Sequence, residues 1–105
     1  MTDYNLEKLF NDLLEKKNID KKYSYTSSLM LDKNLLAKKI GEESIEVILE
    51  YLNNNKDNTI KESADLLYHL IVMWISCNIN PSDVWNELYK RKGISGFDEK
   101  KKRLI

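Results

Sequence analysis

From Leu66 to Cys77 the chain reads Leu-Leu-Tyr-His-Leu-Ile-Val-Met-Trp-Ile-Ser-Cys, apolar at almost every position. The apolar-polar alternation of a half-buried strand is missing. With three glycines and one proline in 105 residues, the chain is also poor in the turns that a β-protein needs. The run is therefore read as part of a helix from about Thr59 to Cys77. It is too short to span a bilayer and it holds His69. A helix that is apolar nearly all round must be covered on most sides. One domain of this length, residues 1–105, supplies few covering layers. The expected fold is all-α, an antiparallel bundle of four to five helices completed by oligomerisation, with at least a dimer.

Leu6, Leu9, Phe10, Leu13 and Leu14 form the i, i+3, i+4, i+7, i+8 stripe of an amphipathic helix, predicted over about residues 3 to 17. Residues 18 to 28 are polar and read as a loop. A second helix is expected from about Leu29 or Asn34 to Leu52. The Asn- and Asp-rich stretch 53–58 connects it to the Thr59–Cys77 helix. Asn78-Ile79-Asn80-Pro81 breaks that helix. Asn80 suits an N-cap, Pro81 the first helical position and Asp83 the positive helix start. A fourth helix then carries Val84, Trp85, Leu88 and Tyr89 and stops at Gly93, and the tail after it has room for a short final turn.

Two acidic signatures interrupt the apolar helices, Glu42-Glu43-Ser44-Ile45-Glu46 and Glu62-Ser63-Ala64-Asp65. At 3.6 residues per turn, Glu42, Glu46, Glu50 and Glu43 fall within about 100° of arc, bordered on both sides by Leu, Ile and Val. Glu62, Asp65 and His69 share a face at i, i+3 and i+7. Antiparallel helices can set Glu43 and Glu46 opposite Glu62 and Asp65, while Glu50 lies outside the paired set. Carboxylates among apolar side chains are costly unless something positive compensates them. Oxygen ligands without thiolates favour Mg²⁺, with Mn²⁺ also possible, over zinc. Magnesium keeps open positions for water and phosphate oxygens. His69 stands beside the acids, where it can orient a ligand without being one.

Seventeen basic residues balance seventeen acidic ones, so net charge gives no reason to expect nucleic acid or an anionic membrane as partner. A single cysteine, Cys77, excludes an internal disulfide and fits a reducing compartment. The first residues lack a basic-then-apolar signal pattern, and the expected location is cytoplasmic.

The words around the acids are more specific than the acids. Glu42-Glu43-x-x-Glu46 with Glu62-x-x-Asp65 resembles the signature of the MazG-like all-α nucleotide pyrophosphohydrolases. Lys38-Lys39-Ile40-Gly41-Glu42-Glu43-Ser44-Ile45-Glu46-Val47 and Glu62-Ser63-Ala64-Asp65-Leu66-Leu67-Tyr68-His69-Leu70 resemble the phosphoribosyl-ATP pyrophosphatase family within it. So do Ser24-Tyr25-Thr26 before the motif and Ser95-Gly96 with a basic tail after it. The resemblance runs over about residues 4 to 103. It implies Mg²⁺-dependent hydrolysis of phosphoribosyl-ATP to phosphoribosyl-AMP and pyrophosphate, the second step of histidine biosynthesis. Carried over position by position, it implies Glu43, Glu46, Glu62 and Asp65 as metal ligands and Glu42 as a further catalytic carboxylate. Tyr25 and Thr26 would line the substrate mouth, and Lys38, Lys39, Arg91, Lys92, Lys100 and Arg103 would meet phosphate. The cyclohydrolase often fused to this family uses cysteine and histidine zinc ligands, which a chain with only Cys77 and His69 does not supply. Asp32-Lys33-Asn34 departs from the family where a glycine-containing turn is expected.

Three rival readings predict different observations. A house-cleaning pyrophosphohydrolase of the same superfamily would prefer dUTP or another nucleoside triphosphate. A di-iron carboxylate bundle typically uses Glu-x-x-His pairs, which this sequence lacks. A non-enzymatic helical interaction module would gain no stability from Mg²⁺ and substrate.

Overall fold

The computed structural model describes residues 2–94, 96 and 97 of the chain. Five α-helices follow in order: α1 (Leu6–Leu14), α2 (Tyr25–Met30), α3 (Lys33–Leu52), α4 (Lys56–Ser76) and α5 (Pro81–Lys90). A 3₁₀ turn, Glu15–Asn18, extends α1. Among the described residues there is no strand, so the expected all-helical fold is what the chain adopts. Nor is any helix among them long and apolar enough to cross a membrane.

Side-chain caps fix where the helices start. Asn5 accepts from the Lys8 N–H at 2.9 Å, Asp32 from Leu35 at 3.0 Å and Asn55 from Asn58 at 3.0 Å. Each satisfies one of the backbone donors that a helix start leaves without a partner. At α5 the Asn80 N–H donates to the Asp83 carboxylate at 2.9 Å, and Pro81 is the first helical residue, as its sequence predicts. Asn54 and Asn78 take left-handed conformations, with φ of 57° and 60°, just past the ends of α3 and α4. Asparagine tolerates that region better than other side chains, so these turns form without glycine. Gly93 has φ +83°, three residues beyond the end of α5.

The core gathers on the C-terminal half of α4. Ile71 and Val72 are fully buried, Trp74 and Ile75 nearly so, and they pack with Phe10 and Leu13 of α1, Leu29 of α2 and Leu36 of α3. Burying each aliphatic side chain contributes about 1.5–3 kcal/mol relative to exposure. The long helices α3 and α4 make the most extensive contact in the fold, across the connection 53–55. Yet α3 buries only Leu36 fully, and Ile45, Ile48, Leu49 and Leu52 are each more than half exposed.

Several boundaries differ from the sequence reading. The predicted loop 18–28 holds most of helix α2, capped by Ser24, whose hydroxyl accepts from the Ser27 N–H at 3.1 Å. Its polar residues are satisfied internally: the Ser27 hydroxyl donates to the Ile19 carbonyl at 2.5 Å, and Thr26 and Tyr68 share a hydrogen bond. Polarity here marks internal hydrogen bonds, not solvent. Leu29 belongs to α2, and α3 begins at Lys33, behind the Asp32 cap. The backbone at Leu31 and Asp32 keeps negative φ, −94° and −128°, so the turn between α2 and α3 needs no glycine. Helix α4 starts three residues earlier than Thr59 because Asn55 supplies the cap. The first α-helix is shorter than 3–17, since its last turn tightens to 3₁₀. Most of the expected final turn, with Lys100 and Arg103, lies outside the described residues.

Candidate active site

The contact between α3 and α4 brings the two acidic signatures together. One carboxylate oxygen each from Glu43, Glu62 and Asp65 lies within 4.8 Å of the other two. Glu43 and Glu62 are half-buried, and Asp65 is exposed at the edge. Glu46, one turn along α3 from Glu43, sits close enough to Glu62 to dominate its electrostatics, though it is outside this closest set.

These carboxylates repel one another. The Glu62 carboxyl is pushed up to about 7, first because its protonated form hydrogen-bonds to Glu46, then by desolvation and by the charges of Glu46 and Glu43. Glu43 is raised as well, by desolvation and then by the charges of Glu46 and Asp65, with its hydrogen bond to Glu62 pulling the other way. Glu43 Oε2 and Glu62 Oε2 are buried without a hydrogen-bond partner. Among the described residues, no lysine or arginine is within ion-pair distance of Glu43, Glu62 or Asp65. Buried acceptors without donors are destabilising. A hard divalent cation fits them, because all the donors are oxygens and no thiolate competes.

Glu42 stands apart. It is exposed and faces Lys38 at 3.9 Å and Lys39 at 3.8 Å, one turn before the cluster. Those lysines are therefore on the acid-bearing helix, held near the cluster by a surface ion pair. Arg91, at the end of α5, reaches Glu87 through Nε at 3.2 Å, and the Lys92 ammonium lies 5.8 Å from the Tyr89 ring centre. These pairings leave Lys92 exposed. Lys100 and Arg103 fall outside the described residues.

Helix α2 packs against both acid-bearing helices, α3 and α4. His69, one turn beyond Asp65 on α4, is buried, and its Nδ1 lies 2.8 Å from the Asp65 carbonyl oxygen. Its Nε2 lies 3.5 Å from the Tyr25 hydroxyl. Tyr25 is half-exposed, whereas Thr26 is buried and bonded to Tyr68 at 2.5 Å. Tyr68 meets His69 edge-on, with ring centres 5.0 Å apart. Burial raises the Tyr68 phenol, and the Thr26 hydroxyl counteracts that. Sequence reasoning passed over Tyr68 as part of an apolar run. The available signal was its place between Asp65 and His69 with a hydroxyl that burial obliges to find a partner.

Clustered carboxylates beside basic and hydroxyl side chains could take a cation, and the set suits work on a phosphate ester or anhydride. Comparison with known proteins agrees. Residues 5–92 match the family described as phosphoribosyl-ATP pyrophosphohydrolase. A phosphoribosyl-ATP pyrophosphatase of Paramagnetospirillum magneticum is 43% identical over 99 residues, 93% of this chain and 91% of its own. That of Gluconobacter oxydans is 42% identical over 99 residues, 93% of this chain and 74% of its own. That of Geotalea daltonii is 40% identical over 106 residues, 98% of either chain. By this match and these relatives, the chain belongs to the phosphoribosyl-ATP pyrophosphohydrolase family.

Proposed function

We propose that the chain hydrolyses phosphoribosyl-ATP to phosphoribosyl-AMP and pyrophosphate, the second step of histidine biosynthesis, with Mg²⁺ held by its acidic cluster. The observation that carries the metal reading is the convergence of Glu43, Glu62 and Asp65, with two buried oxygens lacking donors. Glu46, next to Glu62, joins them as a ligand, and Mn²⁺ is the natural substitute for Mg²⁺. Held by Glu43, Glu46, Glu62 and Asp65, a cation would supply charge neutralisation for the triphosphate and polarisation of a water. Glu42, outside the ligand set and paired at the surface with Lys38 and Lys39, would be the carboxylate that accepts a proton from the attacking water. Lys38 and Lys39 bring positive charge toward the polyphosphate from the same helix, and Tyr25 and Thr26 belong to the helix at its rim. Arg91, Lys92, Lys100 and Arg103 add cations from the C-terminal end.

The reading includes a homodimer in the cytoplasm. Ile45, Ile48, Leu49 and Leu52 line α3 at 51–66% exposure, and an aliphatic face of that kind favours a second copy over water. The exposed thiol of Cys77 suits a reducing compartment.

A pyrophosphate-release assay with phosphoribosyl-ATP, with and without Mg²⁺, tests this directly. Release that needs the metal is expected. Faster turnover of dUTP or another plain nucleotide would move the chain to house-cleaning chemistry, and metal-independent release would remove the carboxylate cluster from the mechanism.

A further inference from the structure

His69 is the one imidazole in the chain, and no step above uses it. It is 7% exposed and faces two acceptors or donors of different kinds. The Asp65 carbonyl oxygen, 2.8 Å from Nδ1, can only accept, so Nδ1 carries a hydrogen. In the neutral form of that tautomer Nε2 presents a lone pair 3.5 Å from the Tyr25 hydroxyl, which can donate to it. The ring is held in this orientation by edge-on contacts with Tyr68, at 84° between planes, and with Tyr25, at 88°. A tyrosine hydroxyl has one hydrogen. With that hydrogen turned inward to His69, Tyr25 offers lone pairs on its outer side. Tyr25 is 54% exposed, and its partner His69 stands one helical turn along α4 from Asp65.

We infer that His69 is a positioning residue acting through Tyr25: it fixes the Tyr25 hydroxyl as an acceptor at the rim of the carboxylate cluster, where it takes a hydrogen bond from a sugar hydroxyl of the nucleotide and not from its phosphates. The inference rests on the nucleotide reading of this site and adds which part of the substrate Tyr25 meets. Phosphate oxygens are themselves acceptors, so a tyrosine whose hydrogen is engaged has nothing to give them. The sugar carries hydroxyl donors close to the phosphates that the cation holds. Tyr68 does a separate job on the same helix, since its hydroxyl ties α2 to α4 through Thr26.

The test is a double-mutant cycle on binding, read by calorimetry in Mg²⁺. The two ligands are phosphoribosyl-AMP, which has sugar hydroxyls, and inorganic pyrophosphate, which has none. Tyr25→Phe should weaken phosphoribosyl-AMP binding about three- to tenfold, the range of one hydrogen bond, and leave pyrophosphate unchanged. His69→Ala should do the same, and the double variant should lose no more than either alone. His69→Gln, which keeps an acceptor near the Nε2 position, should recover much of the affinity. Tyr68→Phe is the structural control, with a lower melting temperature and unaltered phosphoribosyl-AMP affinity. Equal loss of pyrophosphate binding in Tyr25→Phe would overturn the inference, because Tyr25 would then act on phosphate. Multiplying losses in the double variant would overturn it too, because the two residues would act independently. Should His69→Ala fail to fold, Tyr25→Phe and His69→Gln still decide the matter. A wild type that binds phosphoribosyl-AMP but releases no pyrophosphate from phosphoribosyl-ATP counts against the assigned reaction, and the cycle is still read from binding.

Discussion

The two halves of α4 do opposite work. From His69 to Ile75 the helix is core, with Ile71 and Val72 fully buried against α1, α2 and α3. From Lys56 to Leu67 it is open: Ile60 is 59% exposed, and Glu62 and Asp65 face one another's charge and that of Glu43 and Glu46. One half stabilises the fold and the other gathers carboxylates that repel one another. A single rigid helix lets the packed half position the strained half, as functional carboxylates require. His69 sits at the junction, bonded back to Asp65 and packed on Tyr68.

The largest expected effect breaks the packed half. Ile71→Ala leaves a cavity where no solvent reaches and should cost about 2–5 kcal/mol of unfolding free energy. Urea denaturation measures it. If the halves are separable, the folded variant keeps its Mn²⁺ affinity, since Glu62 and Asp65 are more than a turn away. An equal loss of metal binding would erase the division. The next effect breaks the open half. Glu62→Gln, or Glu46→Gln, should reduce pyrophosphate release about a hundredfold or more while helical circular dichroism stays intact. Near-normal turnover would remove either residue from the ligand set. A smaller effect concerns the uncovered side of α3. Ile48 is 55% exposed, so Ile48→Lys should leave the monomer's fold unchanged and shift sedimentation from dimer to monomer. A wild type that sediments as a monomer at working concentration would sink the assembly.

The sequence showed the two halves unequally. Helix periodicity and the near absence of glycine and proline made the all-α fold and the core of α4 legible, because burial of apolar stripes is written directly into residue order. Both acidic signatures were legible by the i, i+3 rule, and their flanking words named the family. Helix α2 was not legible. Thr26 and Ser27 are polar and buried, and their partners, Tyr68 and Ile19, lie far away in sequence or outside any periodic pattern. The Tyr25–His69 contact was hidden for the same reason, since it spans 44 positions. The separation of Glu42 from the oxygen cluster agrees with the sequence reading, which set it outside the ligand set. What the structure adds is its pairing with Lys38 and Lys39 on the same helix.

The finest contrast between the halves is in their response to pH. Glu62 holds its proton up to about 7 in the folded chain, against an ordinary 4.5 when unfolded. Between those values the folded state binds more protons than the unfolded one, so unfolding free energy falls as pH rises from about 4.5 to about 7 and then levels. Glu43, raised for the same reasons, adds to the slope. A cation requires the ionised carboxylates, so its binding displaces those protons and strengthens as pH rises through the same window. Metal-free protein should therefore lose melting temperature from pH 4.5 to 7, and protein in Mg²⁺ should lose less or gain. Glu62→Gln, with no proton to release, should flatten the metal-free curve and abolish most of the difference. Ile71→Ala should lower both curves together and leave their separation unchanged, because packing at that end of α4 carries no charge. Parallel curves for the wild type with and without Mg²⁺ would mean that the acids are solvated surface residues and that α4 has one job along its whole length.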